Sequence, residues 1–473
     1  MTALHDLAAT ELVALYRKRE LSPVEATRAV LARIAAWERH LKATYALDPE
    51  AALGAARASE ARWLKGEPLG PIDGVPSMIK ENIATRGTPV PVGTAASLLV
   101  RAANDAPPAA RMREAGAVIL GKTTMPDYGM LSSGLSSFHA LARNPWDLSK
   151  GPGGSSAGAG AGVAAGYGPL HVGTDIGGSV RLPAGWCGIF TLKPSLGRIP
   201  IDPPYAGRCA GPMTRSVADA ALLMSVLAQP DDRDTMSLPA EDIAWSRLER
   251  DPRGLKVGLL LDPGAGLPVD PEIAAAVQAA AERFAAAGAE VETIGSYFTR
   301  AMLDGVDAFW RMRSWLDFQS LPAERRAKVL PFIAQWVEGG ANLSGAEVFR
   351  GYTQMGAMRD AAVAAHRRFD VVLSPTAPIP AFAAELASPT DDPARPLEHI
   401  CFTVAYNMSE QPAASINCGW TRAGLPIGLQ IAGKRHDDLG VLQVAAAWEA
   451  MRPAGRPWPE PPDGSSAPLP SRA

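Results

Sequence analysis

The chain has 473 residues, 47% hydrophobic and 20% charged, enough apolar material for a large buried core and the wrong balance for a disordered segment. A formal net charge of −3 supplies no overall basic field for a phosphate backbone, so nucleic acid is not expected as a partner. Cys187, Cys209, Cys401 and Cys418 stand far apart with no CxxC pair, which reads as reduced thiols of an intracellular protein with no disulfide scaffold and no zinc site.

In chain order, the first twenty residues carry Asp6 and Glu11 and lack the uninterrupted apolar stretch of a secretory signal, which makes the cytoplasm the expected location. No charge-free apolar run long enough to span a bilayer follows, so no membrane association is expected. Ser22-Pro23-Val24-Glu25 is a capping box with proline at the first helical position, and it predicts a helix over about 23–37. A charged helical stretch near 50–66 comes next. Pro71 to Pro76 then turns the chain into a short strand, Ser77-Met78-Ile79-Lys80, with Lys80 at its end. Helix-like Arg111–Ala115 precedes an apolar strand at Ala117–Leu120, and the alternation recurs at 255–260 with a helix near 271–287, and at 370–373 after a helix near 355–367. This pattern predicts an α/β fold: a single large domain, residues 1–455, with a central mixed sheet flanked by helices on both faces. Residues 296–350, rich in Trp310, Trp315, Phe318 and Trp336, read as a helical cap over the sheet edge. From Pro453 the chain is Pro/Gly/Ser-rich and is expected to fray, with 456–473 as a C-terminal tail.

Four glycine and serine patterns compete for the chemistry. Gly116 to Thr123 fits the phosphate-loop expression GxxxxGK[ST], but Ala117–Leu120 between its glycines is a strand whose N–H groups belong to a sheet rather than to a phosphate. Gly154-Ser155-Ser156-Ala157-Gly158 fits GxSxG, which would make Ser156 a nucleophile served by a histidine such as His399. That elbow needs a buried strand before it, and Asp147 to Pro152 is polar and broken by proline. Gly151 to Gly166 could be a flexible linker or a closely packed loop and small-residue helix. His171 to Pro183 decides between them, because it runs from a strand into the turn Gly177-Gly178-Ser179, where glycines let successive N–H groups converge on one point, as an oxyanion requires.

These segments resemble the amidase signature family. The resemblance rests on Gly153-Gly154-Ser155-Ser156, on Gly173 to Ser179, and on the 24 positions separating Ser155 from Ser179. Gly74-Val75-Pro76 with Lys80-Glu81-Asn82, Gly121 to Met125, Arg143 to Asp147, Cys187-Gly188 with Leu192 to Ser195, and Gly211 to Arg215 follow in the family's order. A weaker echo lies at Gly424 to Gln430. The signature core spans about 70–225; Ala157 and Ala159 stand where the family more often has glycine, and about 230–400 matches no subfamily.

The resemblance implies the amidase signature fold and a hydrolase that cleaves carbon–nitrogen bonds of amides, anilides or carbamates through an acyl-enzyme. Ser179 is then the nucleophile, Ser155, after a cis peptide bond, the proton relay, and Lys80 the base. Lysine serves as a base only when neutral, and burial can lower its ordinary pKa of about 10.4 by about 3 to 5 units. The N–H groups of Ile176, Gly177, Gly178 and Ser179 are expected to hold the oxyanion. Asp175 and Arg181 are expected to shape the turn, and His171 to be structural. Tyr128, Ser132 and Ser133 are substrate-binding candidates, with the tryptophans near Trp310 and Trp315. No metal or cofactor is implied; the partner is a small-molecule amide or carbamate, and a homodimer is allowed. Two other readings stand beside this one. One is the glutamine-hydrolysing amidotransferase subunit for misacylated tRNA, which Ile201 to Tyr205 and Glu410 to Ala414 do not resemble. The other is a non-catalytic binding protein on the same fold.

Overall fold

The structure, a computed structural model, describes residues 3–462. Eleven strands form one sheet: β1 (Thr44–Tyr45), β2 (Pro76–Lys80), β3 (Val118–Thr123), β4 (Leu170–Asp175), β5 (Phe190–Lys193), β6 (Cys209–Thr214), β7 (Lys256–Leu259), β8 (Glu290–Thr293), β9 (Val371–Pro375), β10 (Ala413–Trp420) and β11 (Pro426–Gly433). Their spatial order is β1-β3-β2-β4-β6-β5-β10-β11-β9-β7-β8. The sheet is mixed. β2 runs parallel to β3 and to β4, with Ile79 opposite Val172, whereas β4 is antiparallel to β6.

Alternation along the strands shows why both faces are covered. Ile79 and Val172 join a core with the N-terminal helix and the helix Val217–Leu227, while the neighbouring Met78 joins Trp37, Leu41, Ala161 and Ala165. The first of the long helices starts where the capping box places it: Ser22 Oγ accepts from Val24 N at 3.0 Å and Glu25 Oε2 accepts from Ser22 N at 3.0 Å. That helix runs over Pro23–Leu41, four residues beyond the expected end. The Gly/Ala segment is no linker. Ala157–Ala165 is a helix with every residue buried, and only side chains this small let it lie against β2, β3, β4 and the helix Arg181–Cys187 at once.

Residues 296–350 contribute the helices Arg300–Gln319, Ala323–Arg326 and Pro331–Glu338. Their apolar residues Val306, Trp310, Ile333 and Trp336 pack with Met358 and Ile400 into a second core. The C-terminal segment departs from expectation. Trp458 lies under the Arg215 guanidinium at 4.4 Å, Arg33 Nη2 donates to Pro459 O at 2.7 Å, and Arg33 pairs with Glu460, so the body offers two cations that composition alone does not reveal. The rest of the tail, 463–473, lies outside the described residues. All four cysteines are buried free thiols, and among the described residues no helix is long and apolar enough to cross a membrane.

Candidate active site

Parallel neighbours end at the same edge of a sheet, so β2 and β4 deliver Lys80 and Thr174-Asp175 side by side at their carboxyl ends, where open α/β sheets place ligands. Lys80 is 0% exposed. Its Nζ donates to Ser155 Oγ at 2.7 Å and to Thr174 Oγ1 at 2.9 Å, and Asn82 Nδ2 donates to the same Thr174 oxygen at 3.1 Å. No carboxylate within ion-pairing distance of Nζ occurs among the described residues. Burial, and then the positive charge of Arg208, hold its pKa well below the ordinary lysine value, against the weaker pull of Asp175 and Glu81.

Ser155 follows a cis peptide bond from Gly154 and sits just before the buried helix Ala157–Ala165. Glycine is required before it, since a Cβ on Gly154 would lie 2.6 Å from Leu131 O and 2.7 Å from Ser133 N. Ser156 N donates to Ser179 O at 3.1 Å, which ties the Ser155 loop to the Ser179 turn. Ser156 itself begins the helix and bonds Thr174, with no strand before it; His399 is buried with neither ring nitrogen bonded. The GxSxG alternative has no structural support.

The turn after β4 is pinned from within. Asp175 accepts from Gly178 N at 2.8 Å, Val180 N at 3.1 Å, Arg181 Nη2 at 2.9 Å and Asn407 Nδ2 at 2.9 Å. Burial would raise the Asp175 carboxyl; the Arg181 charge and these bonds outweigh it and hold the group below the usual carboxylate range. Arg181 also donates to Gln430, Asn407 and Thr403 O. These two residues therefore shape the turn, as expected of them. Of the four N–H groups expected to face an oxyanion, that of Gly178 is thus turned to Asp175. Those of Ile176, Gly177 and Ser179 meet no protein acceptor among the described residues.

Ser179 is half-buried and lines a cavity of about 80 Å³ with Tyr128, Ser132, Ile176, Gly177, Trp310, Arg313 and Trp336. Of the three substrate-binding candidates, Tyr128 and Ser132 stand in this wall. Ser133 is not in the wall: it is fully buried, accepts from Leu135 N at 3.3 Å and backs Gly154. Trp310 lines the cavity, its ring against Gly177, whereas Trp315 packs on Phe318. His171 is buried beside Tyr167 O, and desolvation lowers it to about 4. The phosphate-loop lookalike is β3, and its Lys122 is buried against Ile83 O and Thr85.

Sequence reasoning missed Thr174 as the partner of Lys80 and Asn82 as the partner of Thr174, although both stand inside the segments that carry the family resemblance. It also missed Arg313, Trp336, Leu397 and Ile400 in the cavity wall. No local pattern marks these four, because helix packing alone brings them to the site.

The site therefore sets a buried, carboxylate-free lysine against a serine, beside a glycine turn at the edge of an α/β sheet. A family profile described as Amidase matches residues 25–442. The chain is 35% identical to a glutamyl-tRNA(Gln) amidotransferase subunit of Myxococcus xanthus, over 94% of this chain and 97% of that one. It is 34% identical to an acylamidase of Rhodococcus erythropolis, over 95% and 96%. A solved bacterial aryl acylamidase of the amidase signature family superposes with a TM-score of 0.87 at 31% identity, covering 95% of this chain and 97% of that one. The chain belongs to the amidase signature family.

Proposed function

We propose that the protein hydrolyses small-molecule amides, anilides or carbamates with Ser179 as nucleophile, Ser155 as relay and Lys80 as base. The observation that carries this reading is the 2.7 Å bond from the fully buried Lys80 Nζ to Ser155 Oγ. A neutral Lys80 takes the Ser155 proton as Ser155 takes that of Ser179, whose Oγ attacks the carbonyl carbon. The N–H groups of Ile176, Gly177 and Ser179 face the developing oxyanion, where the loss of one such donor costs about 2.7 to 4 kcal/mol. The proton returns through Ser155 to the leaving nitrogen, and water then releases the acyl group from Ser179. Thr174 and Asn82 fix the direction of the lysine.

The identity to an amidotransferase subunit supports a second reading, in which the chain hydrolyses glutamine and hands ammonia to a partner. Purified protein offered acetamide, benzamide, an anilide, a carbamate and glutamine separates the two. Partner-independent anilide turnover is the expected result; glutamine turnover with no turnover of any anilide, neutral or carboxylated, would establish the second reading. Failure of a fluorophosphonate to label Ser179 would favour a non-catalytic binding protein.

A further inference from the structure

Arg313 lines the same cavity as Ser179. It lies one turn from Trp310 on the helix Arg300–Gln319, so the two share a face. Its guanidinium lies over the Tyr205 ring at 4.7 Å. Its Nε is buried with no acceptor, as are Trp310 Nε1 and Tyr205 Oη, and among the described residues no carboxylate lies within ion-pairing distance of it. On the same helix Asp307 is held by Arg311 and Trp336, while Asp317, one turn further on, is exposed and among the described residues lies outside ion-pairing distance of Arg313; Asp234 accepts from Ile201 N and Met236 N. A second cation, Arg208, bonds only a carbonyl among the described residues, Pro203 O at 2.8 Å, and burial and the charge of Arg313 bring it down to about 10 against the weaker pull of Asp202 and Asp234. Buried donors without acceptors are costly, and a cation left unpaired in a binding cavity calls for an anion from the ligand.

We propose that the cavity takes amides that carry a carboxylate remote from the scissile bond, with the Arg313 guanidinium as its counter-ion and Trp310 beside it. This rests on the hydrolase reading above and names its substrate class. A carboxylate suits the site because a guanidinium fork presents parallel N–H groups that two carboxylate oxygens accept, and the cavity is narrow. Arg208 adds positive potential without crowding the wall. Arg313 is here a specificity residue and takes no part in proton transfer.

The test compares kcat/KM for two matched pairs: succinic acid monoanilide against butyranilide, with the charge on the acyl side, and 4-acetamidobenzoate against 4-acetamidotoluene, with the charge on the amine side. At least one carboxylate member should be preferred by about tenfold or more, and Arg313→Gln should erase that preference mainly through KM, with Arg313→Lys restoring part of it. A measurement needing no variant stands alongside: succinate or benzoate should inhibit turnover of a neutral anilide, and added salt should weaken the inhibition. Preference for the neutral member in both pairs, or an unchanged ratio in a folded Arg313→Gln protein, overturns the proposal. If neither pair turns over while a fluorophosphonate still labels Ser179, the substrate class is wrong and the hydrolase reading stands. If Ser179 does not label, both fall.

Discussion

On the floor of the cavity, the polar side chains around Lys80 are matched within the protein: the amine bonds Ser155 and Thr174, Asn82 braces Thr174, and Asp175 takes Arg181 and the N–H groups of Gly178 and Val180, while those of Ile176, Gly177 and Ser179 meet no acceptor among the described residues. On its wall, Trp310 and Arg313 keep buried donors that nothing among the described residues accepts. A floor whose side chains are internally satisfied holds its geometry before anything binds, whereas a wall with unpaired donors is completed by what it binds. On the proposed mechanism, the difference separates chemistry, held by the sheet, from choice of substrate, held by the helices over it.

The sharpest way to break this division is to remove the proposed nucleophile. Ser179→Ala should lower kcat by roughly 10⁴-fold to 10⁶-fold while leaving the cavity able to bind substrate; near-native turnover measured on a preferred anilide would move the chemistry off the floor.

A smaller effect should follow from Asp175→Asn, which keeps the shape but leaves Arg181 buried without its counter-charge, costing about 3 to 5 kcal/mol of stability. Because the folded Asp175 carboxyl is held below its unfolded value of about 3.9, the stability it contributes is complete above that pH and is lost as the pH falls below it. Urea titrations at pH 7 and pH 3 should therefore show a larger gap between wild type and variant at pH 7. An equal gap at both would show that the turn does not depend on this charge.

Lys122 sharpens the comparison from the other side, since it is as buried as Lys80 but bonds Ile83 and Thr85 rather than Ser155. Burial brings it to about 7. Lys122→Met should leave kcat within about twofold, an expectation for a change outside the reacting set. In wild type the folded lysine holds fewer protons than the unfolded one between about 7 and about 10.4, so its stability relative to the variant should climb across that interval. A large drop in kcat would mean that burial of a lysine, rather than its bond to Ser155, is what matters.

Much of the floor is readable in the sequence because its parts are local. The strand ending in Lys80, the glycines before Ser155 and the turn ending in Ser179 each occupy a few consecutive residues whose backbone demands leave a pattern. Partners that complete the floor are readable only as letters. Thr174 and Asn82 lie within those same stretches, but their bonds to one another depend on β2 and β4 being neighbours. Asn407 and Gln430 reach Arg181 from distant parts of the chain. The wall leaves almost no trace. Tryptophans in 296–350 suggest packing, yet which of them faces the cavity is set by how Arg300–Gln319 sits over Gly177, and no spacing encodes that. The docking of Trp458 is hidden for the same reason: a proline-rich composition says nothing about Arg33 and Arg215, the cations that receive the segment.

Lys80 acting as a neutral base through Ser155 is the claim on which the mechanism turns, and the pH dependence of Ser179 labelling by a fluorophosphonate, followed by mass spectrometry in wild type and Lys80→Met, tests it most directly. The wild-type rate should rise with pH through one ionisation well below the ordinary lysine range, because the amine loses its proton there. In Lys80→Met, labelling should be slow and that ionisation absent. A label on another residue, or an unchanged rate and pH profile in the variant, would contradict the mechanism.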